Sequence, residues 1–269
     1  MGIGGAGMSG LALLLAELGF EVSGCDMIHT SYIDKVLKEE VAVVLGHGHA
    51  HMEKFLPDLL IYSSAIPEDN EEILAARARG IAVAKRGEVL SWIFDSRCGI
   101  GVAGTHGKTT TSSMISLILE QAGFHPTLAI GGELCDIGVN AKLGEGRFMV
   151  AELDESDGSF EKFHPEISVI TNVDWDHVNF YPTFESVLEA FSRFFSNLKS
   201  DGLLVFCGED AGLARLLSLG RIPEGAISYG WGASWNWGAS NVYHKPGGGV
   251  SFTLLHEGQR EGEVELAIS

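Results

Sequence analysis

Basic residues are scarce in this sequence. Its 18 lysines and arginines stand against 36 aspartates and glutamates, a formal net charge of −18. A chain this acidic is a poor match for a phosphate backbone, which argues against nucleic acid as a partner. Any anionic ligand must be captured locally, by backbone N–H groups, a helix N-terminus or a metal ion. Long apolar runs are also lacking. None approaches the roughly 18 residues that span a bilayer, so no membrane partner is expected. Cysteine is sparse: Cys25, Cys98, Cys135 and Cys207 follow neither a zinc-ligand nor a disulfide-framework spacing. Met1 is followed by a glycine-rich turn rather than a basic segment and an apolar core, so no secretory leader is expected. A reduced, cytoplasmic setting fits these features best.

What remains is globular in composition: 269 residues, 45% hydrophobic and 20% charged, enough for one large or two ordinary domains. The first 95 residues alternate strand-like and helix-like segments. Residues 8–18 read as a helix closed by Gly19, and 20–23 as a short strand ending near Asp26. Residues 41–45, 59–62 and 81–84 read as further strands, with a helix over 71–79. The alternation predicts an α/β fold with parallel strands. A second α/β unit, 96–269, begins with a strand at 99–103 and a helix over 109–122 closing at Gly123. Strands at 148–151, 167–171 and 203–207 follow, with a helix over 184–198. From about Ile227 the pattern becomes short strands and glycine turns. The near-repeat WGASWNWGAS there reads as local surface structure.

GIGGAGMSG places Gly2, Gly4 and Gly7 in G-x-G-x-x-G spacing, with Asp26 where a dinucleotide fingerprint expects its ribose ligand. The same glycines serve any turn that brings backbone to a diphosphate, and a purely structural turn is a third reading. GTHGKTT, Gly104 to Thr110, is a shortened phosphate loop between a strand and a helix. Its N–H groups face phosphate oxygens, Lys108 reaches the outer phosphates and Thr109 offers a hydroxyl to Mg²⁺. Val102 stands where the strict pattern has its first glycine.

Two further motifs leave strand ends. AELDESDGSF carries Glu152, Asp154, Glu155 and Asp157; TNVDWDH carries Asn172, Asp174, Asp176 and His177. In open parallel sheets ligands gather beyond the carboxyl ends of the strands, so three polar motifs converge on one edge. Glu152 there is a hard ligand suited to nucleotide-bound Mg²⁺. HGHAH, His47 to His51, resembles a metal cluster. With no cysteine or carboxylate constellation beside it, it reads instead as a surface loop. YSSAIPEDN either binds a polar ligand opposite the first glycine turn or caps the next helix.

GIGGAGMSG, SSAIPEDN, KRGEVL, GTHGKTTT, AELDESDGSF and TNVDWDH, in this order, resemble the Mur ligases of bacterial cell-wall synthesis. The resemblance runs through essentially the whole chain. It implies a Rossmann-like UDP-sugar-binding domain over 1–95 and a P-loop-type central ATP-binding domain with a mostly parallel sheet over 96–269. D-E-S-D and the opening glycine motif point to the alanine-adding branch. The tripeptide-ligase branch usually has tyrosine at the position of Ser156.

The implied reaction phosphorylates the lactyl carboxylate of UDP-N-acetylmuramate with ATP and Mg²⁺, after which the amine of L-alanine displaces phosphate. The resemblance assigns Gly104, Thr105, His106, Gly107, Lys108, Thr109, Thr110 and Asn172 to ATP. Thr109, Glu152 and His177 fall to metal, and Lys108, Glu152 and His177 to catalysis. Gly4, Gly5, Gly7, Met8, Ser9, Asp26, Ser63, Ser64, Arg86, Asp154, Glu155 and Ser156 fall to substrate. No lysine in FESVLEAFSRFF offers the carbamylated group of some relatives. The family's first strand and its C-terminal, amino-acid-binding domain are not visible in the sequence, so ligand binding with little or no turnover is expected of this chain. An oxidoreductase resting on Gly2, Gly4, Gly7 and Asp26, and a non-catalytic nucleotide-binding module, are the competing classes.

Overall fold

The computed structural model describes residues 1–131 and 140–267. The chain forms an α/β structure with mostly parallel strands, as expected. In its first part, helix α1 (Ala6–Glu17) is followed by β1 (Ser23–Asp26), α2 (Ser31–Lys38), β2 (Ala42–Leu45), α3 (Ala50–Phe55), β3 (Leu59–Tyr62), α4 (Glu71–Ala78), β4 (Ala82–Lys85) and α5 (Arg86–Asp95). β1 pairs with β2 and β3 with β4, both in parallel. Residues 1–3 lie between the two pairs. Gly2 and Ile3 donate to Cys25 O, the Met1 amine donates to Ile61 O at 2.7 Å, and Ser63 N–H donates to Met1 O.

The strand expected at 20–23 begins only at Ser23. Gly19 closes α1 with φ of +89°, and Phe20 N–H turns back to Leu15 O. This is the paired 6→1 and 5→2 bonding of a Schellman C-cap, which keeps Phe20 out of the sheet and exposed.

The second part continues with β5 (Cys98–Ala103), α6 (Lys108–Gln121), β6 (Thr127–Ala129), β7 (Ala141–Lys142), β8 (Phe148–Glu152), a 3₁₀ turn (Ser159–Lys162), β9 (Ile167–Ile170), α7 (Phe184–Phe195), β10 (Leu203–Cys207), α8 (Ala211–Ser218), β11 (Ile227–Trp231), β12 (Trp237–His244), β13 (Val250–His256) and β14 (Gln259–Leu266). Its strands form one sheet in the order β14-β13-β12-β11-β10-β9-β5-β8-β6-β7. Pairing is parallel from β6 through β12, and antiparallel at β6·β7, β12·β13 and β13·β14. The WGASWNWGAS segment is therefore more than surface decoration: β11 and β12 run side by side, with Tyr229 opposite Trp237, and extend the central sheet.

The core packs α5, α7 and the 3₁₀ turn onto this sheet through Phe94, Phe160, Phe163, Phe191 and Phe194, all essentially buried. Helix α7 shows why. Val187, Leu188, Phe191, Phe194 and Phe195 recur at three- and four-residue spacing, and Thr183 caps the first turn at Ser186 N–H. Burying each such side chain contributes about 1.5–3 kcal/mol. Helix α1 packs against both α5 and β7, which sets the opening glycine turn beside the second sheet.

Candidate functional site

The sheet order places β8, β5 and β9 next to one another, so the segments leaving their carboxyl ends share one edge. Gly104 follows β5 with φ of +127°. A Cβ there would lie 2.2 Å from Thr171 Oγ1 and 2.8 Å from Asn172 O. The TNVDWDH backbone thus passes against the loop at a point only glycine fits. Asn172 holds the loop at both ends of its amide: Oδ1 accepts His106 N–H and Nδ2 donates to His106 O, each at 2.9 Å. Thr105 Oγ1 accepts Asp174 N–H at 2.9 Å. Gly107, with φ of +80°, opens α6 in the left-handed conformation.

Lys108 arches back over this loop. Its Nζ donates to Gly104 O at 2.6 Å and to Glu155 Oε1 at 3.0 Å. Glu155 is buried, and burial pushes its carboxyl above the usual range against the pull of Lys108. His177, with φ of +52°, brings Nε2 to 3.6 Å from the same carboxylate. Thr109 Oγ1 and the Gly131 N–H each donate to Glu152 Oε2 at 2.9 Å. Thr109 and Glu152 therefore offer neighbouring oxygen donors that fit a hard divalent cation, and the His177 imidazole lies on the same edge beside Glu155.

Across from this loop stands the glycine turn that starts α1. Between them runs a cleft of about 540 Å³. One wall carries Gly5, Gly7, Met8, Ser63, Ser64 and Arg86; the other carries Thr105, Lys108, Glu152, Asp154, Ser156 and His177. Arg86 starts α5, lies close over Gly7 and reaches to 3.8 Å from Asp154. Burial alone would raise the Asp154 carboxyl. Hydrogen bonds from Ser156 and the charges of Arg86 and Lys108 outweigh it and hold the group below the usual range.

Comparison with known proteins places the chain in a family. Residues 1–97 match the Mur ligase family, catalytic domain, and residues 102–269 match the Mur ligase middle domain. The chain belongs to the Mur ligase family. A UDP-N-acetylmuramate–L-alanine ligase of Carboxydothermus hydrogenoformans is 40% identical over 266 residues, 99% of this chain and 56% of that protein. That of Aquifex aeolicus is 43% identical over 270 residues, 100% of this chain and 58% of its own length. The chain thus spans a little over half the length of the curated relatives it matches.

Among solved structures, the UDP-N-acetylmuramate–alanine ligase of Thermotoga maritima superposes with a TM-score of 0.85 at 28% identity, covering 100% of this chain and 60% of that one. The UDP-N-acetylmuramate:L-alanyl-γ-D-glutamyl-meso-diaminopimelate ligase of Neisseria meningitides superposes with 0.89 at 28% identity, covering 100% and 86%.

Not every residue expected at a Mur ligase site lines the cleft. Ser9 is buried, and its hydroxyl donates to Ala6 O. Asp26 accepts the N–H of Gly4 at 2.7 Å and that of Ile28, so its carboxylate holds the glycine turn in shape. Gly4 is fastened further by Thr30 Oγ1, which donates to its carbonyl. Gly104, His106, Gly107, Thr109, Thr110, Glu155 and Asn172 stand behind or beside the lining residues, and Thr110 is exposed.

Other lining residues went unforeseen. Asn140 is buried, donates to Ala6 O at 2.6 Å and leaves its Oδ1 without a partner. Ala129, Ile130 and Gly131 complete the far wall. Cys135 lies outside the described residues. One reading needs correction: HGHAH is accompanied by a cysteine and a carboxylate. Cys25 and Glu72, distant in sequence, meet His47 and His51 in space.

Proposed function

We propose that the chain carries the UDP-sugar and nucleotide sites of an ATP-dependent ligase that joins L-alanine to UDP-N-acetylmuramate, a step of peptidoglycan precursor synthesis in the cytoplasm. The single observation that carries the reading is the shared cleft. A diphosphate-type glycine turn with Arg86 forms one wall and the phosphate loop with Lys108 the other.

In this reading the UDP-sugar lies along Gly4, Gly5, Gly7 and Met8, with Ser63, Ser64 and Arg86 orienting it and Asp154, Glu155 and Ser156 beside its lactyl end. ATP lies on Gly104 to Thr110. Lys108 exchanges its contacts with Gly104 O and Glu155 for the outer phosphates, and Asn172 holds the loop open to them. Thr109 and Glu152 would hold one Mg²⁺ and His177 would help hold a second near the acyl phosphate, and the bound ions would neutralise charge on the phosphates.

A carboxylate is a poor acyl donor, and transfer of the γ-phosphoryl group to its oxygen, with ADP leaving, makes it a good one. The L-alanine amine then attacks the acyl carbon, the tetrahedral intermediate expels phosphate, and the nitrogen loses a proton to give the amide. The residues act mainly by positioning and charge neutralisation. Asp26, a ribose ligand only in the dinucleotide reading and a UDP-sugar residue in this one, accepts the Gly4 N–H and so supports the glycine turn beside the ligand. The likeness to the Neisseria meningitides ligase keeps tripeptide addition as a second reading; Ser156 and the relatives 40–43% identical favour alanine.

Titration with a fluorescent ATP analogue and Mg²⁺ tests the nucleotide half. Tight binding that Lys108→Ala weakens by about tenfold or more, the cost of a charge-assisted contact, supports the reading. Absence of binding, or binding indifferent to Lys108→Ala, overturns it.

A further inference from the structure

The cluster around HGHAH lies apart from the cleft, and none of its members lines it. Cys25 comes from β1, His47 from the connection after β2 and Glu72 from the first turn of α4. Their donor atoms all lie within 4.8 Å of one another. Cys25 Sγ is 3.4 Å from His47 Nδ1 and 3.2 Å from Glu72 Oε2, and His47 Nδ1 is 3.5 Å from Glu72 Oε1.

These separations can be compared with a metal centre. Tetrahedral zinc, with bonds of about 2.3 Å to sulfur and about 2.05 Å to nitrogen or oxygen, places sulfur roughly 3.5 Å from the other donors. It places nitrogen and oxygen roughly 3.4 Å apart. The Cys25–His47 spacing and the spacing from Cys25 to Glu72 Oε2 fall within a few tenths of an ångström of those values; His47 is 3.5 Å from the other carboxylate oxygen, Oε1, so a turn of the carboxylate would bring one oxygen to both ligands. We propose that Cys25, His47 and Glu72 bind one zinc-type divalent cation, with His51 fixing the carboxylate from outside.

Charge supports this. Glu72 is fully buried, and among the described residues no lysine or arginine pairs with it; its ion-pair partners are the imidazoles of His47 and His51. A divalent cation would add to the Gly48 N–H and imidazole contacts that already hold this carboxylate. The donor set selects the metal class. A thiolate ligand excludes Mg²⁺ and Ca²⁺, which take oxygen ligands, and together with an imidazole it favours zinc.

His51 Nδ1 sits 2.7 Å from Glu72 Oε1, too close for two ligands of one ion and right for a hydrogen bond. With the Gly48 N–H, which donates to the same oxygen at 2.6 Å, it orients the carboxylate as outer partners of metal ligands do. The fourth position is left to water. Both histidine side chains are partly exposed, at 16% and 17%, which gives the ion a way in. On binding, the Cys25 proton passes to solvent. The ion would tie β1 and the β2–α3 connection to α4, joining the two strand pairs of the first part.

Co²⁺ is the probe for the test, added to protein stripped of metal by a chelator and dialysed. One equivalent should bind with intense tetrahedral d–d bands and a thiolate-to-metal charge-transfer band, and Zn²⁺ should displace it. Cys25→Ser, which keeps size and fold, should lose the charge-transfer band although Cys98, Cys135 and Cys207 remain. His51→Ala should weaken binding by about 10- to 100-fold. Zn²⁺ should raise the melting temperature of the unmodified protein and not that of Cys25→Ser. Oxygen donors at Thr109 and Glu152 give no thiolate band, so that site cannot imitate the signal. No stoichiometric Co²⁺ binding, or a charge-transfer band that survives Cys25→Ser, overturns the proposal.

Discussion

The Thr109 hydroxyl donates to Glu152 Oε2 at 2.9 Å, joining the first turn of α6 to the end of β8. The two groups that the sequence assigned to one metal ion, 43 positions apart, are therefore neighbours in the fold.

That contact predicts a shared loss. Thr109→Ala and Glu152→Gln should each weaken the Mg²⁺-dependent part of ATP binding by about tenfold or more, the cost of one interaction with a charged group. The check is a Mg²⁺ titration at fixed nucleotide concentration. A Mg²⁺ dependence unchanged in both variants would separate these residues from the metal.

Gly104 predicts a different failure. Its φ of +127° and the 2.2 Å approach to Thr171 Oγ1 leave no room for a methyl group. Gly104→Ala should cost about 1–3 kcal/mol in strain and abolish nucleotide binding, because the loop must part from Asn172. Denaturant unfolding and nucleotide titration read the two effects. A variant of unaltered stability would mean that the loop relaxes freely.

The positions of these groups show what a sequence can and cannot carry. The phosphate loop was legible because an apolar strand, a glycine turn and a helix are consecutive, so their chemistry is local. Glu152 and His177 were legible because both leave apolar strands, and a parallel sheet aligns strand ends. Cys25 and Glu72 were not legible as partners of His47, since contacts between separate βα units leave no periodicity. Asn140 stands outside any strand-end motif. Helix α5 lacks the usual start signal: Lys85 stands at the cap position, and the Glu88 carboxylate satisfies its N–H instead. The extension of the sheet through β12 to β14 also escaped notice, because short strands with glycine turns read alike at a surface and in a sheet.

Glu88 yields a pH prediction. The Lys162 ammonium, then the Lys85 N–H, hold its carboxyl below the usual carboxylate range. A depressed folded-state value means that the unfolded chain binds the proton more readily. The stabilisation is thus present above the ordinary carboxylate value, about 4.3, and is lost as pH falls through the lower folded one. Chemical denaturation from pH 6 down to pH 3 should show Glu88→Gln with a shallower acid-side loss than the unmodified protein. Identical slopes would show that the contact between α5 and the 3₁₀ turn carries no linkage.

In the proposed function, the glycine turn at 2–9 serves a UDP-sugar facing the phosphate loop. Calorimetric titration with UDP-N-acetylmuramate, with NADH as the control ligand, tests it most directly. Saturable binding of the UDP-sugar alone is expected, weakened about 10- to 100-fold by Arg86→Ala through the loss of a charged contact. Binding of NADH in its place, or of neither ligand by the folded chain, would contradict it.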